Sequence, residues 1–149
     1  MKVREIMTSR LVCATPDASL PHIARQMVDN DCGEIPIIDT RQNNKLVGVI
    51  TDRDIVCRVV AQGRNPRELT AEDCMSSPVL TVSSDADLEE VCLMMEQYQI
   101  RRVPVIDRRG GACGMVSQAD VARTGLDERA GHVVKEVSRD TTSAADVAH

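Results

Sequence analysis

Two short segments of this chain place a hydroxyl and a carboxylate three residues apart. They read Gly48-x-x-Thr51-x-x-Asp54 and Gly114-x-x-Ser117-x-x-Asp120. A carboxylate in that position can accept hydrogen bonds from two vicinal hydroxyls, such as those of a ribose. A hydroxyl at the point where a strand turns into a helix would lie beside unpaired backbone N–H groups, which favour a phosphate or another anion. The spacing therefore predicts a ligand site in each segment.

The same spacing also has a structural interpretation. A Thr or Ser that begins a helix, followed three residues later by an acid, is a variant of the capping box. Each glycine would let either a ligand or a neighbouring strand approach the backbone. Capping and ligand binding can hold together, and the repetition of all three residues favours a ligand.

The two motifs close two copies of one repeated unit. Met7-Thr8-Ser9 recurs 68 residues later as Met75-Ser76-Ser77, and Ile35-Pro36-Ile37-Ile38-Asp39 recurs as Val103-Pro104-Val105-Ile106-Asp107. Between Gly48 and Gly114 the offset is 66, because the second copy has a shorter loop. A unit of about 60 residues usually cannot bury its apolar face alone and packs on its twin. We therefore expect two paired repeats with two related clefts.

Each copy predicts the element order β-α-β-β-α. An extended piece, 12–14 or 80–82, precedes a helix that Asp17 or Asp85 can cap. A hairpin follows, turned at Asn43-Asn44 or Gly110-Gly111, and its second strand runs into a helix from Asp52 or Gln118. The apolar residues of the first helix in each copy form one face: Leu20, Ile23, Ala24, Met27 and Val28, and then Leu88, Val91, Cys92 and Met95.

The predicted fold class is α/β of the α+β kind, with two tandem repeats packed as a pseudo-twofold pair. The first repeat is assigned to residues 3–62, a polar linker to 63–70, and the second repeat to 71–126. Residues 127–149 are expected to form a short helix and a mobile tail.

Composition argues against several classes of function. With 42% hydrophobic and 28% charged residues, the chain has the balance of a soluble globular protein. A net charge of −5 and a single aromatic residue, Tyr98, argue against nucleic-acid binding, which needs a basic face or stacking platforms. No run approaches the roughly 20 apolar residues of a membrane span, and residues 1–5 lack the apolar core of a secretory signal. We expect a cytoplasmic protein without membrane contact.

The cysteines and histidines favour neither a metal site nor an enzyme. The six cysteines show no C-x-x-C spacing, and most lie in apolar runs, where a thiol behaves as a small hydrophobe. The three histidines do not match zinc-ligand spacing and have no partner for nucleophilic catalysis. We expect no enzymatic activity, and a thiol-redox response of the cysteines stays open.

The proline-containing strand and the glycine motif, each found twice, resemble the CBS-domain pair, which is also called a Bateman module. The resemblance covers residues 3 to 125. With no catalytic domain attached, the chain is similar to the small stand-alone bacterial CBS-pair proteins, including the hypoxic response type. The resemblance implies binding of an adenosine compound, typically AMP, ADP, ATP, NAD or S-adenosylmethionine, in two clefts between the repeats. It implies no obligatory cofactor.

The resemblance also implies roles for the hydroxyls and carboxylates of the motif. Thr51 in one cleft and Ser117 in the other would meet phosphate or ribose. Asp54 and Asp120 would hold the ribose hydroxyls.

The same resemblance implies that the two clefts are not equal. The pairs Ile35-Pro36 and Val103-Pro104 would flank the adenine through backbone and aliphatic contacts. Arg102 would contact phosphate in the second cleft. The first repeat has Glu34 at that position, which would repel phosphate, with Arg53 beside the hydroxyl to compensate. The clefts should therefore differ in affinity.

We interpret the chain as a sensor or regulatory module that signals energy or redox state to an unidentified partner protein, and that forms a homodimer. The dimer is predicted because Leu93 and Met94 widen the apolar face of the second repeat's first helix. Replacing Met94 with Glu is then predicted to give monomers. The main alternative is a protein-interaction or oligomerisation module with vestigial ligand clefts.

Overall fold

The structure is a computed structural model that describes residues 1–77 and 79–125. The short helix and tail predicted for residues 127–149 lie outside the described residues. The chain forms two compact units. We call them the first-repeat unit, which includes Leu11–Val79 and Arg109–Ala112, and the second-repeat unit, whose described residues are Met1–Arg10, Leu80–Arg108 and 113–125.

The described chain combines short helices with short strands, which confirms the predicted α+β class. The helices are α1 (Val3–Ile6), α2 (Leu20–Asn30), α3 (Asp52–Ile55), α4 (Ala71–Cys74), α5 (Leu88–Tyr98) and α6 (Gln118–Ala122). The strands are β1 (Glu34–Asp39), β2 (Lys45–Thr51), β3 (Val82–Ser83), β4 (Arg102–Ile106) and β5 (Ala112–Ser117). Helix α3 continues as a π-helical turn over Val56–Val60.

In the first-repeat unit, β1 and β2 form the predicted antiparallel hairpin. Glu34 lies opposite Thr51 at one end of the pair, and Asp39 lies opposite Lys45 at the other. The turn holds Asn43-Asn44 with φ angles of 55° and 57°. Asparagine adopts this left-handed region more readily than most residues, so the turn chemistry explains the hairpin.

The second-repeat unit contains the three-stranded sheet β3-β4-β5, with β3 parallel to β4. The order β3-α5-β4-β5-α6 is the predicted β-α-β-β-α. In the first-repeat unit the first strand is reduced to a single parallel bridge between Ala14 and Ile37.

The predicted helix caps are wrong in both repeats. Helix α2 begins after Ser19, whose hydroxyl accepts a hydrogen bond from the His22 N–H at 3.3 Å. Helix α5 begins after Asp87. The acids assigned as caps act two residues earlier in the preceding turns: Asp17 accepts a hydrogen bond from a threonine hydroxyl, and Asp85 pairs with arginines.

The apolar faces of the two long helices are largely as predicted. In α5 all four residues of the face are buried, and in α2 the buried residues are Leu20, Ile23 and Met27. Val28 was assigned to the α2 face, but it is 70% exposed. It lies in the last turn at the edge of the apolar stripe, beyond the reach of the core.

Each unit has its own apolar core. In the first-repeat unit it includes Ile23, Ile35 and Ile37, and in the second-repeat unit it includes Met95 and Val103. All five of these side chains have no exposed surface. The strands that carry the prolines therefore run through the middle of each unit.

The opening segment of each repeat contributes to the unit of the other repeat. Thr8 pairs with Met115 of β5 through two backbone hydrogen bonds of 2.9 and 3.0 Å. Ser76 pairs in the same way with Val49 of β2, at 2.9 and 3.1 Å. The strand that ends in each motif hydroxyl thus gains a backbone partner from far away in the sequence.

This pairing explains the glycine of each motif. A Cβ atom on Gly48 would lie 2.6 Å from the Met75 sulfur, and one on Gly114 would lie 2.7 Å from the Met7 sulfur and 2.9 Å from the Thr8 carbonyl oxygen. The sequence predicts that either a ligand or a neighbouring strand approaches each glycine. In the structure a chain segment lies against both glycines.

Candidate functional site

We call Thr51 with Asp54 the first motif site. Thr51 ends β2 and serves as the N-cap of α3, so its side chain stands where the strand turns into the helix. Its hydroxyl oxygen accepts a hydrogen bond from the Asp54 N–H at 3.0 Å. In return, Oδ2 of Asp54 accepts one from the Thr51 N–H at 2.9 Å. The pair therefore forms a capping box, which fixes the position of both side chains.

We call Ser117 with Asp120 the second motif site. The Ser117 hydroxyl accepts a hydrogen bond from the Asp120 N–H at 3.1 Å. Oδ2 of Asp120 accepts from both the Ser117 N–H, at 2.8 Å, and the Ser117 hydroxyl, at 3.0 Å. The two sites thus share one local geometry, as the repeated sequence predicts.

The prediction of unpaired N–H groups around the first hydroxyl is wrong. The Asp52 N–H donates to the Gly33 carbonyl at 2.9 Å, and the Arg53 N–H donates to the Asp52 carboxylate at 2.8 Å. In the second motif site the Gln118 N–H donates to the Arg101 carbonyl at 2.9 Å. Because these donors already have partners, the carboxylates are the groups on which a binding argument rests.

The arginine nearest the remaining carboxylate oxygen, Oδ1, is placed differently in the two motif sites. Arg58 lies 3.8 Å from Oδ1 of Asp54, and Arg123 donates directly to Oδ1 of Asp120. The Asp54 side chain is 17% exposed and that of Asp120 only 5%. Sequence reasoning missed both arginines, although an arginine three or four residues after an acid on a helix is a known pairing signal.

The residues predicted to flank the adenine are core residues. Ile35 and Val103 have no exposed surface, and Pro36 and Pro104 are also buried. The aliphatic side chains of Ile35 and Val103 are therefore engaged in packing, and contact with a ligand from these strands would have to come through the backbone.

The arginines predicted to contact phosphate lie at the surface. Arg102 begins β4 and is exposed, and Arg53 in the first turn of α3 is exposed as well. Glu34 lies opposite Thr51 in the hairpin and is half-buried. The opposite charges of Glu34 and Arg102 at equivalent strand positions remain the clearest electrostatic difference between the repeats.

A surface cleft of about 550 Å³ lies at the other end of the first hairpin. It is lined by the turn at Thr15–Asp17, by Ile38–Arg41 and by Glu72. Asp39, the acid that ends the proline strand, accepts a hydrogen bond from the Arg41 N–H there, and this backbone donor lowers the pKa of the Asp39 carboxyl. The repeated acid at this strand end thus acts in a turn, about 17 Å along the strand from Thr51.

The described residues contain no candidate metal cluster and no helix that could span a membrane. Over residues 1–77 and 79–125, no group of three or more His, Cys, Asp or Glu side chains is placed to hold a metal ion. None of the helices in these residues has the length and apolar character needed to span a membrane.

Comparison with protein families identifies the repeats. The family model described as "CBS domain" matches residues 3–61 and again residues 71–127. The chain belongs to the CBS-domain family. The two motif sites therefore lie at equivalent positions in two CBS domains, which agrees with the resemblance seen in the sequence.

Curated relatives include other CBS-domain proteins and proteins without an assigned role. Hypoxic response protein 1 of Mycobacterium tuberculosis is 35% identical over 120 residues, which cover 80% of this chain and 82% of that protein. The uncharacterized protein MK0525 of Methanopyrus kandleri is 34% identical over 121 residues, 81% of this CBS-domain chain but only 61% of the relative.

Solved structures confirm the fold. Hypoxic Response Protein I, solved with two coordinated zinc ions, superposes with a TM-score of 0.74 at 34% identity, covering 83% of this chain and 98% of that one. The CBS-domain pair of protein MJ0100, in complex with 5′-methylthioadenosine and S-adenosyl-L-methionine, superposes with a TM-score of 0.72 at 29% identity. That match covers 84% of this chain and 95% of the other.

Proposed function

We propose that this chain is a regulatory module that binds an adenosine compound at its motif sites. The observation that carries the proposal is the state of Asp54. Its Oδ2 is held by the Thr51 N–H, while Oδ1 has only a distant arginine at 3.8 Å. A carboxylate that is fixed in direction, yet has one oxygen still available, suits the two vicinal hydroxyls of a ribose.

Support for an adenosine compound comes from the family as well as from the site. The MJ0100 CBS pair, 29% identical to this chain, was solved with two adenosine compounds that both carry such hydroxyls. Tyr98 is the only aromatic side chain in this sequence, so an adenine here would be held by backbone and aliphatic groups.

The charges near the two motif sites favour different ligands. The first motif site has three acids, Glu34, Asp52 and Asp54, against two arginines, Arg53 and Arg58. The second has one acid, Asp120, against arginines at positions 101, 102 and 123. Phosphate is attracted by arginine and repelled by carboxylate. We therefore assign phosphorylated ligands to the second motif site and uncharged or cationic adenosines to the first.

Replacing Arg102 with Gln is expected to weaken AMP binding at the second motif site by about 1 kcal/mol, roughly fivefold, because an exposed charge pair with phosphate is lost. Binding of 5′-methylthioadenosine, which has no phosphate, should not change. Calorimetric titration with both compounds measures the difference, and Glu34→Gln serves as the matched change in the other repeat. Equal effects on the two ligands would show that Arg102 does not act through phosphate.

A thiol-redox role is disfavoured at three of the six cysteines by their burial. Burial raises the pKa of the Cys13, Cys74 and Cys113 thiols, which reduces the thiolate fraction. The thiolate is the reactive form. A regulatory module without catalysis, acting on a partner protein through ligand binding, accounts better for the repeated carboxylates.

Assembly into a homodimer is part of the proposal. Leu93 stands on the side of α5 away from the core and is 51% exposed, and Tyr98 at the end of the helix is 50% exposed. An exposed leucine on the outer side of a helix is available for a contact between copies, and closed twofold dimers are the commonest soluble assembly. Met94, by contrast, packs partly against the core of its own unit, so Met94→Glu would also disturb folding.

Replacing Leu93 with Glu is therefore the sharper test of a dimer. We expect the variant to run as a monomer of 16.3 kDa in light scattering, because a charge would be buried in the contact. Thr40→Glu, which adds the same charge at an exposed position in the turn after β1, should stay dimeric. A wild-type chain that is already monomeric at micromolar concentration would remove the dimer from the proposal.

The direct experiment on ligand identity is mass spectrometry of the small molecules that co-purify with the chain. An adenosine compound released on denaturation, and absent from the Asp54→Asn/Asp120→Asn double variant, is the expected result. Recovery of the same compound from both proteins would show that it is not held at the motif sites.

A further inference from the structure

The second motif site has a feature that the first does not share. Oδ2 of Asp120 accepts two hydrogen bonds from Ser117, and Oδ1 accepts one from Arg123. Both oxygens of this carboxylate therefore have a hydrogen-bond partner within the chain. The ribose hydroxyls of an adenosine ligand would need the Asp120 oxygen to which Arg123 already donates.

The Arg123 side chain is placed so that it can also move away from Asp120. Its side chain is 70% exposed although its acceptor is 5% exposed, so the guanidinium reaches Asp120 from the solvent side. It lies three residues after Asp120, just beyond the end of α6. A long exposed side chain can rotate away without any change in the backbone.

Arg58, near Asp54, is held differently. Its guanidinium donates to the carbonyl oxygens of Cys74 and Met75, each at 3.3 Å. These two bonds tie the π-helical turn to the end of α4 and keep the arginine 3.8 Å from Asp54. The first-repeat arginine therefore has a structural role in the packing of its unit.

We propose that Arg123 competes with the ligand for Asp120, so that an adenosine compound binds the second motif site only after the guanidinium has released Oδ1. This inference rests on the proposed function and deepens it. The first motif site is open in the free protein and the second is closed by its own arginine. For a ligand without phosphate, occupancy of the second site then reports a higher ligand concentration than occupancy of the first.

The size of the effect follows from the exposure of the arginine. Exposed ion pairs are worth up to about 1 kcal/mol, which corresponds to roughly a fivefold change in a dissociation constant, and the exposed Arg123 sets this pair near that limit. Removing Arg123 should therefore tighten binding at the second motif site by about that factor.

The test isolates the second site by working in an Asp54→Asn background, which silences the first. Arg123→Gln is added to this background, and Arg58→Gln is added separately as an arginine change at the silenced site. The probe is 5′-methylthioadenosine, which has no phosphate that could itself attract the arginine, and binding is measured by calorimetric titration. Melting curves of all variants check that each one is folded.

The expected result is a dissociation constant about fivefold lower with Arg123→Gln and unchanged with Arg58→Gln. A value that is unchanged or higher with Arg123→Gln overturns the competition, while binding by the wild type leaves the proposed function standing. If neither the wild type nor any variant binds 5′-methylthioadenosine or AMP, the proposed function fails, and the competition fails with it.

Discussion

Replacing Asp54 with Asn is expected to weaken binding of an adenosine compound at the first motif site by about 1.5–3 kcal/mol, or roughly 10- to 150-fold. The amide cannot offer a charged acceptor to two ribose hydroxyls. It does keep an oxygen that can accept from the Thr51 N–H, which now lies 2.9 Å from Oδ2. Stability should therefore fall much less than affinity. Calorimetric titration beside a melting curve separates the two quantities.

The chain itself supplies a matched control for this change. Thr70 and Asp73 form a capping box at the start of α4, with the Thr70 N–H 2.9 Å from the Asp73 carboxylate, but no glycine precedes them at the motif position. Asp73→Asn should leave affinity unchanged. If Asp54→Asn behaves like Asp73→Asn, the carboxylate at the first motif site is only a helix cap.

Replacing Gly114 with Ala is expected to cost about 1–3 kcal/mol of unfolding free energy, because the new methyl group would overlap atoms already in place. The nearest are the Met7 sulfur at 2.7 Å and the Thr8 carbonyl oxygen at 2.9 Å, and the latter belongs to a strand pairing that cannot shift freely. The melting temperature should fall by several degrees.

Gly48→Ala is the companion change in the first-repeat unit. Its Cβ would lie 2.6 Å from the flexible Met75 side chain but 3.1 Å from the nearest backbone oxygen, so the loss should be smaller than for Gly114→Ala. Where a Cβ fits without strain, Gly→Ala stabilises by about 0.4–1 kcal/mol. A rise in melting temperature for Gly114→Ala would therefore contradict the close approach of the Met7–Thr8 segment.

The sequence predicted the fold well because its signals were local and repeated. The repeated apolar segments, two turn dipeptides and the apolar faces of α2 and α5 were enough to predict the element order. The first residue of each helix was harder to predict, because several residues near a helix start can act as caps. At α2 the predicted cap is Asp17, whereas the helix begins after Ser19, two residues later.

The site was less predictable, because its decisive contacts depend on packing or on side-chain placement. Thr70-Ala71-Glu72-Asp73 shows that a hydroxyl and an acid three residues apart can form a capping box without the glycine of the motif. That Met7 and Met75 stand against the motif glycines follows from strand pairing between residues more than 25 positions apart. The different roles of Arg58 and Arg123 depend on whether backbone carbonyls are close enough to hold the guanidinium, which spacing does not reveal.

The central claim is that the wild-type chain binds an adenosine compound, and calorimetric titration tests it most directly. The panel is AMP, ADP, ATP, NAD, S-adenosylmethionine and 5′-methylthioadenosine, with guanosine monophosphate as the control purine. We predict that at least one adenosine compound binds and that, at about 100 times its dissociation constant, it raises the unfolding free energy by about 2.7 kcal/mol. No heat of binding and an unmoved melting temperature for all six compounds at millimolar concentration would contradict the account.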